Sequence, residues 1–232
     1  MISVIIPTYN EEQSITRCLQ SLTTQTLPRE EYEIIVVDGN SQDTTRDLAT
    51  AYADHVILQT SRKVGGARND GVRIAHGSII ATTDADCICP PDWLTIIKQG
   101  FEETDVAQMY GPVYPIEDEL SYRFSLGVIN GLSAIGFYTG ILYYTLGCNT
   151  AFQKEAFINA GMYRCLDAGD DLEIALRMRL YGRVTRNRRM RIGFSMRRYR
   201  QFGTIRSLYE WLYIVAHGGT TEKYSYSHRE YK

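Results

Sequence analysis

Hydrophobic and polar positions in the first 110 residues alternate between two periods. Ser3–Ile6 is a short β-branched run closed by Pro7, and from Glu11 to Thr23 the apolar positions Ile15, Cys18, Leu19 and Leu22 recur at helical spacing. This pattern predicts strand, loop and helix. Tyr32–Val37 is a second strand-like run, stopped by Asp38-Gly39-Asn40-Ser41. The spacing then predicts a helix over 41–53 with Ser41 or Asp43 near its cap. Val56–Leu58 reads as a short third strand, and 65–76 as a helix that opens on two glycines. An uncharged run over 78–83 reads as a fourth strand, ending in Thr83-Asp84-Ala85-Asp86. Strands alternating with helices imply an α/β fold with a mostly parallel central sheet flanked by helices. Open sheets of this kind bind ligands outside the carboxyl ends of their strands. Residues 8–11, 38–41 and 84–86 are therefore expected to meet at one crevice.

Composition bounds the rest. A chain of 232 residues with 44% apolar content can bury one sizeable core, and no repeat, low-complexity stretch or Pro/Ser-rich linker divides it. With 25 basic and 27 acidic residues the net charge is −2, which does not suit a polyanion binder. The average hides an asymmetry: eleven arginines and no acid lie between Ile174 and Tyr209, leaving 14 basic residues to face all 27 acids. The planar fork of arginine suits phosphate, so this belt points to a lipid diphosphate acceptor or an anionic bilayer surface. The acidic remainder argues against nucleic acid. Five scattered cysteines without a C-x-x-C pair argue against a disulfide framework or a cysteine zinc site and imply a reducing compartment. Met1 is followed by no secretory signal pattern. A cytoplasmic protein, peripheral on the cytoplasmic membrane face, is expected. Residues 124–152 carry no charge and contain Gly127-x-x-x-Gly131 and Gly136-x-x-x-Gly140. That run is long enough to cross a bilayer, but its glycine, serine and threonine content suits a buried or interfacial helix equally well.

Three constellations carry candidate chemistry. Asp84-x-Asp86 sets two carboxylates where a strand ends, which suits a hard divalent cation that also binds a diphosphate; such a pair is common by chance, and its position after an apolar strand sets it apart. Asp170-Asp171 precedes a helical pattern at Leu172, Ile174, Ala175 and Met178. The two acids either complement the helix macrodipole or supply a general base, and spacing does not choose between these. Gly65-Gly66-Ala67-Arg68-Asn69-Asp70-Gly71 is either a tight turn or a phosphate-facing segment with a cation. It matches neither a Walker loop nor a dinucleotide fingerprint.

Taken in order, these motifs resemble the inverting, nucleotide-sugar-dependent glycosyltransferases of family two, which have the GT-A fold. The resemblance rests on Ser3 to Glu12, Ile35 to Thr44, Gly66 to Gly71, Thr83 to Asp86 with Pro91 to Leu94, Gly147 to Phe152, and Gly169 to Glu173 with Arg177. It covers roughly residues 1–185. It implies a GT-A-like, Rossmann-like sheet with an acceptor-side subregion: residues 1–110 as the nucleotide-sugar half, 111–210 as the acceptor half with the base motif and arginine belt, and 211–232 as a C-terminal tail. Pro7, Tyr9, Glu11, Asp38, Arg68 and Asp84 would then bind the nucleotide sugar, a UDP- or GDP-sugar, and Asp86 would ligate Mn²⁺ or Mg²⁺. Asp171 would be the catalytic base, with Asp170 the alternative because the family more often has Glu-Asp there. Arg197 and Arg198 would meet acceptor or phosphate. The implied reaction moves one sugar to the hydroxyl of a glycan or lipid-linked acceptor in glycan biosynthesis, since the Q-x-x-R-W string of processive synthases is missing. A polyprenyl-phosphate acceptor and a non-catalytic nucleotide- or membrane-binding module are the competing readings. His217 and His228 are candidate extra contacts from the tail.

Overall fold

The computed structural model describes residues 1–140 and 145–217. His228 and most of the tail lie outside them, as does the side chain of Arg198. The chain runs β1 (Ile2–Thr8), α1 (Ile15–Thr23), β2 (Tyr32–Asp38), α2 (Thr45–Thr50), β3 (His55–Leu58), α3 (Lys63–Ile74), β4 (Ile79–Thr82) and α4 (Trp93–Gly100). It continues through β5 (Val106–Tyr110), β6 (Val113–Pro115), α5 (Leu120–Thr139), β7 (Thr150–Gln153), α6 (Lys154–Asn159), α7 (Asp170–Met178), β8 (Arg183–Arg186), β9 (Ile192–Phe194), α8 (Arg197–Phe202) and α9 (Thr204–Ala216).

Seven strands form one sheet in the order β3-β2-β1-β4-β7-β5-β8, in which only β7 runs antiparallel to its neighbours. β6 and β9 form a separate parallel pair. The expected mostly parallel sheet is present, and β1 and β2 carry the continuous apolar runs of strands covered on both faces. Ile2, Val4 and Ile6 pack with α1 in one buried cluster, while Ile5 packs with α3 in the other. Gly71 permits that second contact: a Cβ there would stand 2.6 Å from Ile5 Cγ2. The chain returns across the sheet between β3 and β4, so the topological switch lies between β1 and β4.

One difference from the sequence expectation has a local cause. The second helix begins at Thr45 rather than 41, with Thr44 as its cap residue and the Asp43 carboxylate accepting from Thr45 N–H at 3.0 Å. Ser41 Oγ instead donates to Asp38 at 2.5 Å and accepts from Asn10 N–H, while Asp43 accepts from Glu12 N–H. Those side chains join the loops after β1 and β2. The uncharged run becomes α5, and no described helix is long and apolar enough to cross a membrane. Among the described residues, a Cβ at Gly127 or Gly131 would touch nothing within 4 Å, so this G-x-x-x-G faces no packed partner there.

Candidate active site

Parallel register sets Thr8 beside Asp38 and Asp38 beside Leu58, while Thr82 pairs with Ile5. The loops that leave these strands therefore open on one side of the sheet. Asn10 and Asn40 take the left-handed region at φ 52° and 69°, which asparagine tolerates better than most residues. Pro7 is half-buried and Tyr9 is exposed beside them. The Asp38 carboxylate is fully buried, held by Ser41 N–H and Oγ and paired with Arg46.

Arg68 is the hub. It sits on α3 with 4% exposure, and its guanidinium donates to Asp84 at 2.8 Å and reaches Asp170 at 3.5 Å. It lies 5.5 Å from the Tyr163 ring centroid and presses on Gly147, where a Cβ would meet Nη1 at 2.7 Å. Its Nε has no hydrogen-bond partner among the described residues. Burial alone favours the neutral guanidine, but Asp84, Tyr163, Asp170 and Asp171 outweigh it and keep the group charged. Gly65 supports the approach, since a Cβ there would stand 2.9 Å from Asp170 Oδ2.

Asp170 and Asp171 open α7 after Gly169, with both acids in its first turn as the helix-start reading expects. Asp171 accepts from Gly147 N–H at 2.9 Å and from its own neighbour, Leu172 N–H, at 2.9 Å. Gly147 is held from the other side by Thr82 Oγ1 on its carbonyl at 2.6 Å. Desolvation by burial pushes both carboxyls upward, with Arg68 pulling against it. For Asp171 the charge of Asp170 adds to the rise, and its pKa reaches about 7.

On the other flank, Arg197 at the start of α8 donates to Glu11 at 2.6 Å and to Asp86 at 3.3 Å. Sequence reading assigned Arg197 to acceptor or phosphate, and its contacts here are with these two carboxylates. Glu11 Oε2 is buried and has no hydrogen-bond partner among the described residues. Burial raises the Glu11 pKa, Asp84 adds to the rise, and Arg197 opposes it. Three carboxylates thus crowd where two were singled out as a cation site.

The remaining arginines do not form one continuous belt. Arg177 bonds Glu173 and the carbonyls of Ala160 and Met162, Arg183 pairs with Glu103 and Asp105, and Arg206 pairs with Glu210. Arg188, Arg189 and Arg191 are exposed between β8 and β9, and Arg188 reaches Tyr138 near the end of α5. His217 bonds the carbonyl of Tyr213 one turn back and stacks on that ring.

Sequence reasoning missed Tyr163 and the special role of Asn149. Asn149 is fully buried; its Nδ2 donates to Pro112 and Met190 carbonyls and its Oδ1 accepts from Trp93 Nε1. That knot anchors the turn carrying Gly147. The polar Asn149 in an apolar context was the available signal.

The family model described as "Glycosyl transferase family 2" matches residues 3–166. Glycosyltransferase AglE of Haloferax volcanii is 43% identical over 99 residues, covering 40% of this chain and 33% of that protein. The chain therefore spans about a third of the length of that curated relative. A mannosyltransferase from Pyrobaculum calidifontis, solved in complex with GDP-Man and Mn²⁺, aligns with TM-score 0.67 at 22% identity, over 91% of this chain and 64% of that one. S. aureus TarS 1–349 in complex with UDP-GlcNAc aligns with TM-score 0.66 at 21% identity, over 84% of this chain and 58% of that one. At these identities the solved structures speak for the fold, a GT-A arrangement.

Removing Arg68 tests the hub. Arg68→Met leaves buried Asp170 uncompensated and is expected to cost about 3 kcal/mol near pH 8, the low end because Asp84 is 34% exposed at its side chain. Without the guanidinium, the folded-state pKa of Asp170 and Asp171 rises further above the unfolded value of about 3.9. Folding then loses stability as pH climbs through that window. Urea unfolding near pH 5 and near pH 8 should show the smaller deficit at the acidic value, and an equal deficit at both would contradict the pairing.

Proposed function

The chain belongs to glycosyl transferase family 2, and from that premise we propose that it moves one sugar, with inversion, from a nucleoside diphosphate sugar to an acceptor hydroxyl. What carries the reading is one arrangement: Arg68 lies between Asp84 on one side and Asp170 and Asp171 on the other. In this reading residues 1–110 hold the donor, with Pro7, Tyr9, Glu11 and Asp38 toward the nucleoside, and 111–210 hold the acceptor.

The chemistry of the donor set fits a hard divalent cation. Asp86 and Glu11 share Arg197, and Glu11 keeps an orphaned buried oxygen, so Asp86 with Asp84 or Glu11 would hold Mn²⁺ or Mg²⁺. When bound, the cation supplies a Lewis acid for a diphosphate leaving group. Arg68 adds fixed positive charge where that negative charge develops. Asp171 accepts the proton of the acceptor hydroxyl as its oxygen attacks C1 from the face opposite the diphosphate; the C1–O bond breaks and its electron pair leaves with the diphosphate. Gly147 N–H holds Asp171 in place for this step. Held there with a pKa of about 7, it is a base matched to neutral pH.

A second reading concerns where the acceptor lies. Leu120, Phe124, Val128, Leu132, Ile135 and Tyr138 are all exposed along α5, three or four residues apart. This apolar stripe ends at the basic loop of Arg188, Arg189 and Arg191. An apolar face flanked by arginines suits an anionic membrane surface, consistent with a cytoplasmic, peripheral protein acting on a lipid-linked acceptor.

Two measurements test these readings. Asp171→Asn should lower kcat by about 10²- to 10⁴-fold with nucleotide affinity unchanged. The wild-type kcat/KM should rise with pH through about 7 and lose that acidic limb in the variant. An unchanged rate would remove Asp171 from the base role and favour a polyprenyl phosphate, which is already ionised. In flotation assays the chain should bind anionic vesicles more than neutral ones, and Phe124→Ser with Leu132→Ser should release it; equal binding to both vesicle types would contradict the arginine part.

A further inference from the structure

Glu33, His55 and His76 meet at the amino-terminal ends of the strands, on the opposite side of the sheet from the crevice. Glu33 is the second residue of β2, His55 opens β3, and His76 precedes β4. One ligand atom from each lies within 4.8 Å of the others. The Glu33 carboxylate is buried at 7% exposure. Its Oε1 is fixed by Ser3 Oγ at 2.5 Å and His76 N–H at 2.6 Å, which leaves Oε2 to face both rings. From Oε2, His76 Nδ1 is 3.1 Å away and His55 Nε2 is 3.8 Å away.

We propose that these three side chains form a Zn²⁺ site, with water completing the coordination. Zinc–nitrogen and zinc–oxygen bonds of about 2.0–2.1 Å in a tetrahedron put neighbouring ligand atoms about 3.3 Å apart, and the two observed separations bracket that value. Two neutral imidazoles and one carboxylate favour zinc over Mg²⁺ or Mn²⁺, which prefer oxygen. The supporting layer is in place: Ser3 Oγ donates to Glu33 and accepts from Gly77 N–H at 2.8 Å. Gly77 is pressed so closely that a Cβ would stand 2.7 Å from Ser3 N, which fixes the backbone that presents His76. Such second-layer bonds orient metal ligands. Bound zinc would clasp the edge strand β3, four residues long, to β2 and to the entry of β4.

The site is separate from the carboxylates near Arg68, so an Asp86→Asn background isolates it. That protein, dialysed against Zn²⁺ and then metal-free buffer, should retain one zinc per chain by elemental analysis and gain several degrees in thermal midpoint over its metal-free form. Adding His55→Ala or His76→Ala should abolish both retention and gain. Each substitution also removes a ring that faces buried Glu33 Oε2, so the zinc-dependent gain is read against each variant's own metal-free midpoint. No retention by the Asp86→Asn protein, or equal retention in either histidine variant, would overturn the site.

Discussion

A guanidinium taken out of water must be surrounded by negative charge, and at Arg68 that requirement organises the crevice. Asp84 arrives from the end of β4, Asp170 and Asp171 from the start of α7, and Gly147 from the turn before β7. Each is bound to a different part of the chain, yet each has its place set by one side chain on α3. Removing any carboxylate would leave the cation less compensated, and removing the cation would leave buried carboxylates expensive to ionise. The coupling also explains why Asp171 is tuned rather than simply neutralised: burial and Asp170 push it up while Arg68 and two backbone N–H groups hold it down.

Much of this was legible in the sequence because it follows from short-range rules. The β-branched runs at 3–6 and 32–37 became β1 and β2, and strand alternation gave the parallel sheet and the convergence of three loops. Asp84, Arg68 and the Asp170-Asp171 pair could be singled out from their positions beside strand ends and helix starts. What stayed hidden depends on contacts far apart in the chain. The pairing of Arg197 with Glu11 joins residues 186 positions apart, and nothing local to either predicts it. The Gly147 N–H on Asp171 and the Asn149 knot depend on β7 entering the sheet antiparallel between β4 and β5, an insertion that the alternating pattern does not encode. The arginine run read as one belt because sequence shows charge without partners; folded, most of those charges meet individual acids or carbonyls.

The two ends of the sheet carry different demands. At the carboxyl ends, buried charges crowd around Arg68 and shift one another's protonation, a pattern that clusters at functional sites. At the amino ends, Glu33, His55 and His76 sit close together but partly open to solvent, where a metal would act on the stability of strand β3 rather than on sugar transfer. The apolar stripe of α5 belongs to neither end and faces outward.

The central claim is that the crevice around Arg68 binds a nucleoside diphosphate together with a divalent cation. Thermal unfolding against UDP, GDP, CDP and dTDP, each with Mn²⁺, Mg²⁺ or a chelator, tests it most directly. A ligand at a hundred times its dissociation constant adds about 2.7 kcal/mol, which moves the midpoint of a chain this size by several degrees. The account predicts such a rise with one diphosphate and its loss with chelator. No rise with any diphosphate, whatever the cation, would contradict it.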